Sequence, residues 1–573
     1  MDNITPRSPL IVQLSSLNVH LSPLTPHRSL LIAHRSTFNV KLSSFLVHRY
    51  PMPLSIQLAY LYMSWYAHDG SMSRYAAYIT FMNIWMWDGK DAGHFPEHQT
   101  QLLIKMLKHE DRQIRAVAFS GVVLMVVRYG DLLPDWLVKS FNEWSEDETL
   151  REEMFEVQKY LLTSITGLKM QKKLHDDFFD KMQNEQQIIR DKLGMAEDEE
   201  ERTEIAEEGN RKMMSYARRL NGMVQDGVDM NLGTFASLCR LEFFKELKNW
   251  FVDFDIEHPM LSDLGDRKKM ASALFGHAEL CDLDKYALVS VVDKIASADA
   301  LGRQMPLDIM ESISKEQIAG HVLSERRRNA YRYTFQTLFR FFQFSPWSDQ
   351  TVNPFRMGPF LTDYNILAPM FTDSFLWESS KLFICNSFYS HPAAYLRSWM
   401  QRNGQTDEAL QLLAHCDKCL GESQERLQCL MELEKRHPED MRILQETGLC
   451  LVQEKRYEEA LKRFFHLEVT ENYLHGSARA IAWCSLMTGN MVRASRYYRK
   501  LLDWQGGPSW EDVLNAGHCA WLNGDPVEAS RLYNRYLSMH KDNLTAFDND
   551  REVLMELGFT ADDISLMRDT VSK

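Results

Sequence analysis

Glycine and proline are scarce, 26 and 18 residues in a chain of 573. Sandwiches, barrels and propellers place a breaker between many short strands, so this scarcity argues against them. The nine cysteines are irregularly spaced, which excludes a disulfide framework and suits a reducing compartment such as the cytoplasm. Positive charge is in deficit: 65 Lys and Arg face 79 Asp and Glu, a formal net charge of -14. Such a chain repels polyphosphate at long range, so nucleic-acid binding would need a local basic patch. No run of about 18 uncharged apolar residues occurs, and no membrane-spanning helix is expected. A Gly-rich phosphate loop, a His-Glu-x-x-His pair and a Gly-x-Ser-x-Gly elbow are all missing, leaving no local signature of catalysis or of a cofactor.

Leu, Glu, Lys, Arg, Gln and Met are plentiful, and these side chains lose little freedom in a helix. The expected fold class is all-α, a helical-repeat or α-solenoid architecture. The expected divisions are 1–51, 52–221, 222–400 and 401–573. In the first, serine recurs every seventh residue at Ser8, Ser15, Ser22, Ser29, Ser36 and Ser43. Pro9, Pro23 and Pro26 and the adjacent apolar residues Leu10, Ile11 and Val12 exclude a coiled-coil seam. Codons of the alternating residues interconvert by single-base changes, so the expectation is an in-frame tandem DNA repeat, with a natural start near Met52 or Met63. A targeting presequence and a basic interaction arm are the alternatives.

From 52 to 221 helical stripes follow one another. Ile114, Val117, Ala118, Val122 and Met125 lie close to i, i+3, i+4 spacing, with Asp111 placed to cap them. The pattern Asp111-x-x-Ile114-Arg115-x-x-Ala118 resembles a HEAT-type hairpin over residues 101–133. Glu197 to Glu208 holds eight acidic residues, read as a solvated helix end or linker rather than a docking tail. Residues 331–399 hold 19 aromatics; Tyr331, Phe335, Leu338 and Phe342 share one helical face and read as core. A nucleic-acid surface there would require Arg326, Arg327, Arg328 and Arg332 on one open face.

The last third repeats. Ala460, Ala494 and Ala529 stand 34 and 35 residues apart, each followed at i+4 by Phe464, Tyr498 or Tyr533. Gly448 and Gly517 come twelve residues before their alanines. Turns precede each alanine: EKRYEEA, TGNMVRA, NGDPVEA. This stretch resembles the tetratricopeptide repeat family, whose unit is two antiparallel helices. Units start near Met441, His475 and Trp510, with a degenerate one near Asp407 that carries Arg426 in the alanine position. A closing helix pair is expected from about Leu544 to cover the last apolar face.

The resemblance implies a concave groove lined by first helices. Its lining would be Arg442, Gln445, Leu449 and Val452; Arg479, Trp483 and Leu486; Leu514, His518 and Trp521. Family members that grip acidic chaperone tails carry Lys and Asn where this chain has Gln445 and Leu449, so an apolar partner segment suits it better. The functional expectation is a protein-interaction scaffold or adaptor binding a protein partner or peptide segment, with self-association left open. An enzyme with its active site in residues 150–400 and a regulator with a repeat sensor domain are the alternatives. His415, Cys416, Cys419, Cys429 and His437 do not present a zinc set, because no second Cys pair follows. His175, Asp176 and Asp180 lack further ligands. No catalytic, cofactor or metal residues are assigned.

Overall fold

The computed structural model describes residues 53–68, 72–86, 95–174, 180–195, 198–225, 228–264, 268, 271–272, 275, 280–289, 324, 326–470, 474–539 and 549–571. The serine heptads, His175, Asp176 and Leu544 lie outside them. Helices are the sole regular secondary structure among the described residues, which makes the chain an all-α, helical-repeat protein. Contacts divide it into two compact units, Met1–Thr372 and Asp373–Lys573.

The first unit is organised around helix α4 (Arg112–Tyr129), packed by α2 (Arg74–Trp85), α3 (Glu97–Met106) and α11 (Ala330–Phe344). Asp111 caps α4 as expected, accepting from the Gln113 amide at 2.9 Å. The stripe expected on one face is wider in the structure. Ile114 and every residue from Ala116 to Val127 are buried, so α4 is a core helix wrapped by neighbours rather than the single-faced helix of an open layer. Helix α11 carries the aromatic run. Tyr331, Phe335, Leu338 and Phe342 are all buried, and so are Phe339 and Phe341 on its other sides.

Two stretches depart from the expected succession of α-helices. Residues 242–264 and 348–370 run as short 3-10 turns. Side chains satisfy backbone groups that longer helices would pair internally: Asn249 Nδ2 donates to the Phe243 carbonyl at 2.8 Å and Trp250 Nε1 to that of Phe244 at 2.9 Å. Helix α6 (Glu148–Leu174) leads towards a hairpin of α7 (Asp180–Met195) and α8 (Glu199–Gln225). The acidic run expected as a helix end or linker begins α8. The pair is held by Lys212, which meets Glu185 and, at 3.1 Å, Glu208, and by Ile189 packed on Gly209.

The second unit is a file of helical hairpins. It opens with α12 (Asp373–Cys385) and α13 (Ser390–Asn403), so it starts 28 residues before the expected boundary at 401. Then come α14 (Asp407–Leu420) and α15 (Ser423–Arg436), α16 (Met441–Gln453) and α17 (Tyr457–Glu468), α18 (Leu474–Met487) and α19 (Met491–Leu502), α20 (Trp510–Leu522) and α21 (Pro526–Met539). Short helices α22 (Arg551–Glu556) and α23 (Ala561–Val571) close the file, burying Leu554, Phe559, Ile564 and Met567 against its end.

The repeat signature has a direct steric meaning. A Cβ on Gly448 would lie 2.8 Å from Phe464 Cζ, and one on Gly517 2.5 Å from Tyr533 Cε1. Each aromatic therefore fills the space between the two helices of its own hairpin, rather than between successive repeats. Ala460, Ala494, Ala529 and Tyr533 are fully buried, and Phe464 nearly so. Each such aromatic removed from water contributes roughly 1.5–3 kcal/mol.

Candidate functional site

The expected groove residues rise from the first helices of three hairpins, α16, α18 and α20. On α16, Arg442 is exposed, Gln445 and Val452 are partly buried, and Leu449 is 44% exposed. The N-terminus of this helix is fixed by Asp440, which accepts from the Arg442 amide at 2.9 Å and the Ile443 amide at 3.4 Å. On α18, Trp483 is half-buried, one part packed on the core and the rest accessible. Trp521 on α20 is placed the same way. Neither indole is sealed between hairpins.

Three expected lining residues lie in the interior instead. Leu486 is fully buried, Leu514 is 2% exposed and His518 is 1% exposed. The closing segment covers the third hairpin: His518 Nδ1 meets Tyr533 Oη at 2.9 Å, while Asp550 Oδ2, just before α22, stands 3.5 Å from Nε2. These side chains belong to the interior of the array and offer no surface to a partner. Arg479 is committed too. Its Nε and a terminal nitrogen grip both oxygens of Asp512 at 2.6 and 2.7 Å, joining adjacent hairpins. Asp512 is 1% exposed. Burial would raise its pKa, yet the Arg479 guanidinium and hydrogen bonds with Ser509 outweigh burial and hold it below the usual carboxylate range. Ser509 and Asp512 also form a reciprocal capping box on α20.

The accessible part of the site is therefore Arg442, Gln445, Leu449, Val452, Arg479, Trp483 and Trp521, with the Arg479 guanidinium tied to Asp512. An ion pair that sequence spacing did not reveal crosses this region. Lys455, in the turn after α16, meets Glu556 on α22, so the array curls until its closing helix reaches its Met441 hairpin. Lys455 adopts a φ of 59°, a left-handed conformation that turns the chain sharply between α16 and α17.

The hairpin with Arg426 in the alanine position is a formed unit. Arg426 is 4% exposed, and its guanidinium pairs with Glu446 and meets Gln453 Oε1 at 3.4 Å on the next hairpin. A long side chain fits there because its charge is carried out to the neighbouring helix. The Cys-x-x-Cys of the same hairpin does not share a face. Cys416 is fully buried, whereas Cys419 is exposed beside His415 at 3.9 Å. Burial pushes the Cys416 thiol up to about 12 and that of Cys429 to about 11.

In the first unit, the arginines required for a nucleic-acid face diverge. Arg326 pairs with Asp282 at 2.7 Å, Arg327 and Arg328 are exposed, and Arg332 is 7% exposed. Residues 150–400 contain a cavity bounded by α6, α9 (Leu232–Leu238) and α11. Its lining includes one carboxylate, Asp229, and no histidine.

No family description and no curated protein matches the sequence. Among solved structures, similarity is found to a MamA double mutant (12% identity, 29% of this chain and 93% of that one, TM-score 0.27). A tetratricopeptide repeat protein from Parabacteroides merdae is similar at 15% identity over 35% of this chain and 84% of that one, with a TM-score of 0.26. Yeast Tom70 is similar at 11% identity over 83% of this chain and 95% of that one, with a TM-score of 0.23.

Proposed function

We propose that the C-terminal array is a protein-interaction scaffold that holds an apolar segment of a partner protein on its first-helix face. The observation that carries this reading is the accessibility of Trp483 and Trp521, each anchored in the core on one side and open on the other. Half-buried indoles are rigid before contact, so a partner that covers them orders little on binding. Leu449 and Val452 extend the apolar strip, and Arg442 supplies a cation at its edge. Nine unpaired cysteines accord with a cytoplasmic setting, and no described helix is long and apolar enough to cross a membrane.

Leu449 tests the reading with little risk to the fold, because 44% of it already faces solvent. Full-length Leu449→Arg should lose the partner that the wild type captures from its native cell, with helix content and melting unchanged. Trp521→Ala should weaken the same partner by about 2 kcal/mol or more. Equal retention of that partner by both variants refutes the groove.

A further inference from the structure

Single apolar side chains on a protein surface are ordinary, but four in this chain stand out by degree. Among the described residues, Met195, Val469, Val492 and Val527 are the large apolar side chains with 80% or more of their surface exposed. They fall on two surfaces. Val492 and Val527 hold equivalent positions, each the second residue of a second helix, α19 or α21, and Val469 follows the second helix α17. Met195 ends α7, next to the acidic start of α8. A β-branched residue is a poor choice for an open helical position, and the array itself gives these valines almost nothing to pack on.

The two surfaces carry opposite charge. Helix α19 holds Arg493, Arg496, Arg499 and Lys500 and no carboxylate, in a chain whose formal net charge is -14. Lys500 is tied to Glu468 at 3.0 Å, and Arg493 lies over the Phe465 ring. Arg496 and Arg499 are exposed and make no ion pair among the described residues, and the same holds for Arg535 on α21. The outer faces of α19 and α21 adjoin: the Glu528 carboxyl on α21 is held below the usual carboxylate range by Arg531 and, more weakly, by Arg499. On α8, Glu204 and Glu207 are exposed and likewise make no ion pair among the described residues. Both belong to the run of eight acidic residues from Glu197 to Glu208.

We infer that these surfaces are the two halves of a contact between copies of this chain, the acidic start of α8 in one copy lying on the basic outer face of α19 and α21 in another. Apolar and charge complementarity coincide there. Val492 stands one turn before Arg496 on the same helix face, as Met195 stands beside the acidic run. A second copy suits the basic face better than nucleic acid or an anionic membrane. Those extended polyanions meet the negative charge of the whole chain, whereas a helix start meets only the patch within a Debye length of about 8–10 Å. Opposed patches of this kind steer encounter and fix register more than they add affinity, so the association is reversible. The contact uses second helices, while the groove for a partner segment is built from first helices, so neither reading depends on the other.

The test is analytical ultracentrifugation of the full-length protein across a concentration series reaching about 100 μM. The wild type should pass from monomer to dimer or larger species, and its dissociation constant should rise about tenfold between roughly 50 and 500 mM sodium chloride. Arg496→Glu combined with Arg499→Glu should stay monomeric with unchanged melting, and so should Glu204→Arg combined with Glu207→Arg. Mixed in equal amounts, the two variants should associate, because each presents the charge that the other's reversed surface now requires. A wild type that is monomeric throughout the series overturns the inference, a contact within one chain included. So does association indifferent to salt and to both reversals, or a mixture of the two variants that stays monomeric. Leu449→Arg should associate like the wild type; its loss of association would move the contact into the groove. Wild type that floats with phosphatidylserine vesicles but does not self-associate would assign the face to a lipid surface and overturn the inference as well.

Discussion

Gly517→Ala isolates the steric rule behind the repeat. The added Cβ would lie 2.5 Å from Tyr533 Cε1 and 2.8 Å from Cδ1, well inside carbon–carbon contact. Tyr533 cannot swing away. It is fully buried, and its hydroxyl meets His518 Nδ1 at 2.9 Å inside the array. Overpacking of this kind costs about 1–3 kcal/mol, and the better helix propensity of alanine returns up to about 1 kcal/mol. The contact is severe enough to place the cost at the upper end, leaving a net loss of about 2 kcal/mol. For a unit of this size that lowers the melting temperature by roughly 4–8 °C, at about 2–4 °C per kcal/mol. The second hairpin provides the internal contrast, since Ala482 already stands at the equivalent position and is fully buried. Ala482→Gly should therefore destabilise as well, by about 1 kcal/mol. In a double-mutant cycle, Tyr533→Leu should recover part of the Gly517→Ala loss, because the clash is with the ring. Differential scanning calorimetry of the four proteins decides the matter. Gly517→Ala as stable as the wild type, or strict additivity in the cycle, refutes the reasoning.

Two pH-dependent predictions follow from buried carboxylates. Burial pushes the Asp284 carboxyl up to about 6 despite the adjacent Arg340, against about 3.9 in an unfolded chain. Its protonated form is thus favoured by folding, so its contribution is fully present below about pH 4 and is lost as pH rises through its folded value. Asp284→Asn should flatten this part of the urea-midpoint profile between pH 4 and 7; parallel profiles would contradict the assignment. Asp512 behaves in the opposite sense, because its carboxyl is held low: it stabilises above about pH 4 and loses that contribution as pH falls through its folded value. Arg479→Met should cost about 1 kcal/mol near neutrality, discounted because 45% of the Arg479 side chain faces solvent. It should also move the onset of acid unfolding to higher pH, and an unmoved onset would show that Ser509 alone sets the Asp512 carboxyl.

Much of the C-terminal array was legible because its rules are local. Alanine, an aromatic at i+4 and a glycine twelve residues earlier all concern one hairpin, whose two helices are neighbours in sequence and in space. The same locality let Asp111 be placed as a cap. Contacts of longer reach left no such trace. Arg426 reads as a flaw in its repeat, and only Glu446 and Gln453 on the following hairpin make it a fit. Leu486, Leu514 and His518 stand at positions that face a groove in an ideal unit, and the closing segment with Asp550 helps take His518 out of reach. The HEAT-like stripe on α4 similarly gave no hint that helices from both directions along the chain would bury its remaining faces.

Composition and spacing by themselves determined an all-α chain ending in stacked hairpins, since helix propensity and hairpin packing are carried by residues a few positions apart. Tertiary structure decided which indoles stay accessible and which charges find partners. Those outcomes depend on side chains more than a hundred residues apart, as Asp229 and Arg340 are, meeting in a low-dielectric interior. There a missing partner costs far more than it would in water.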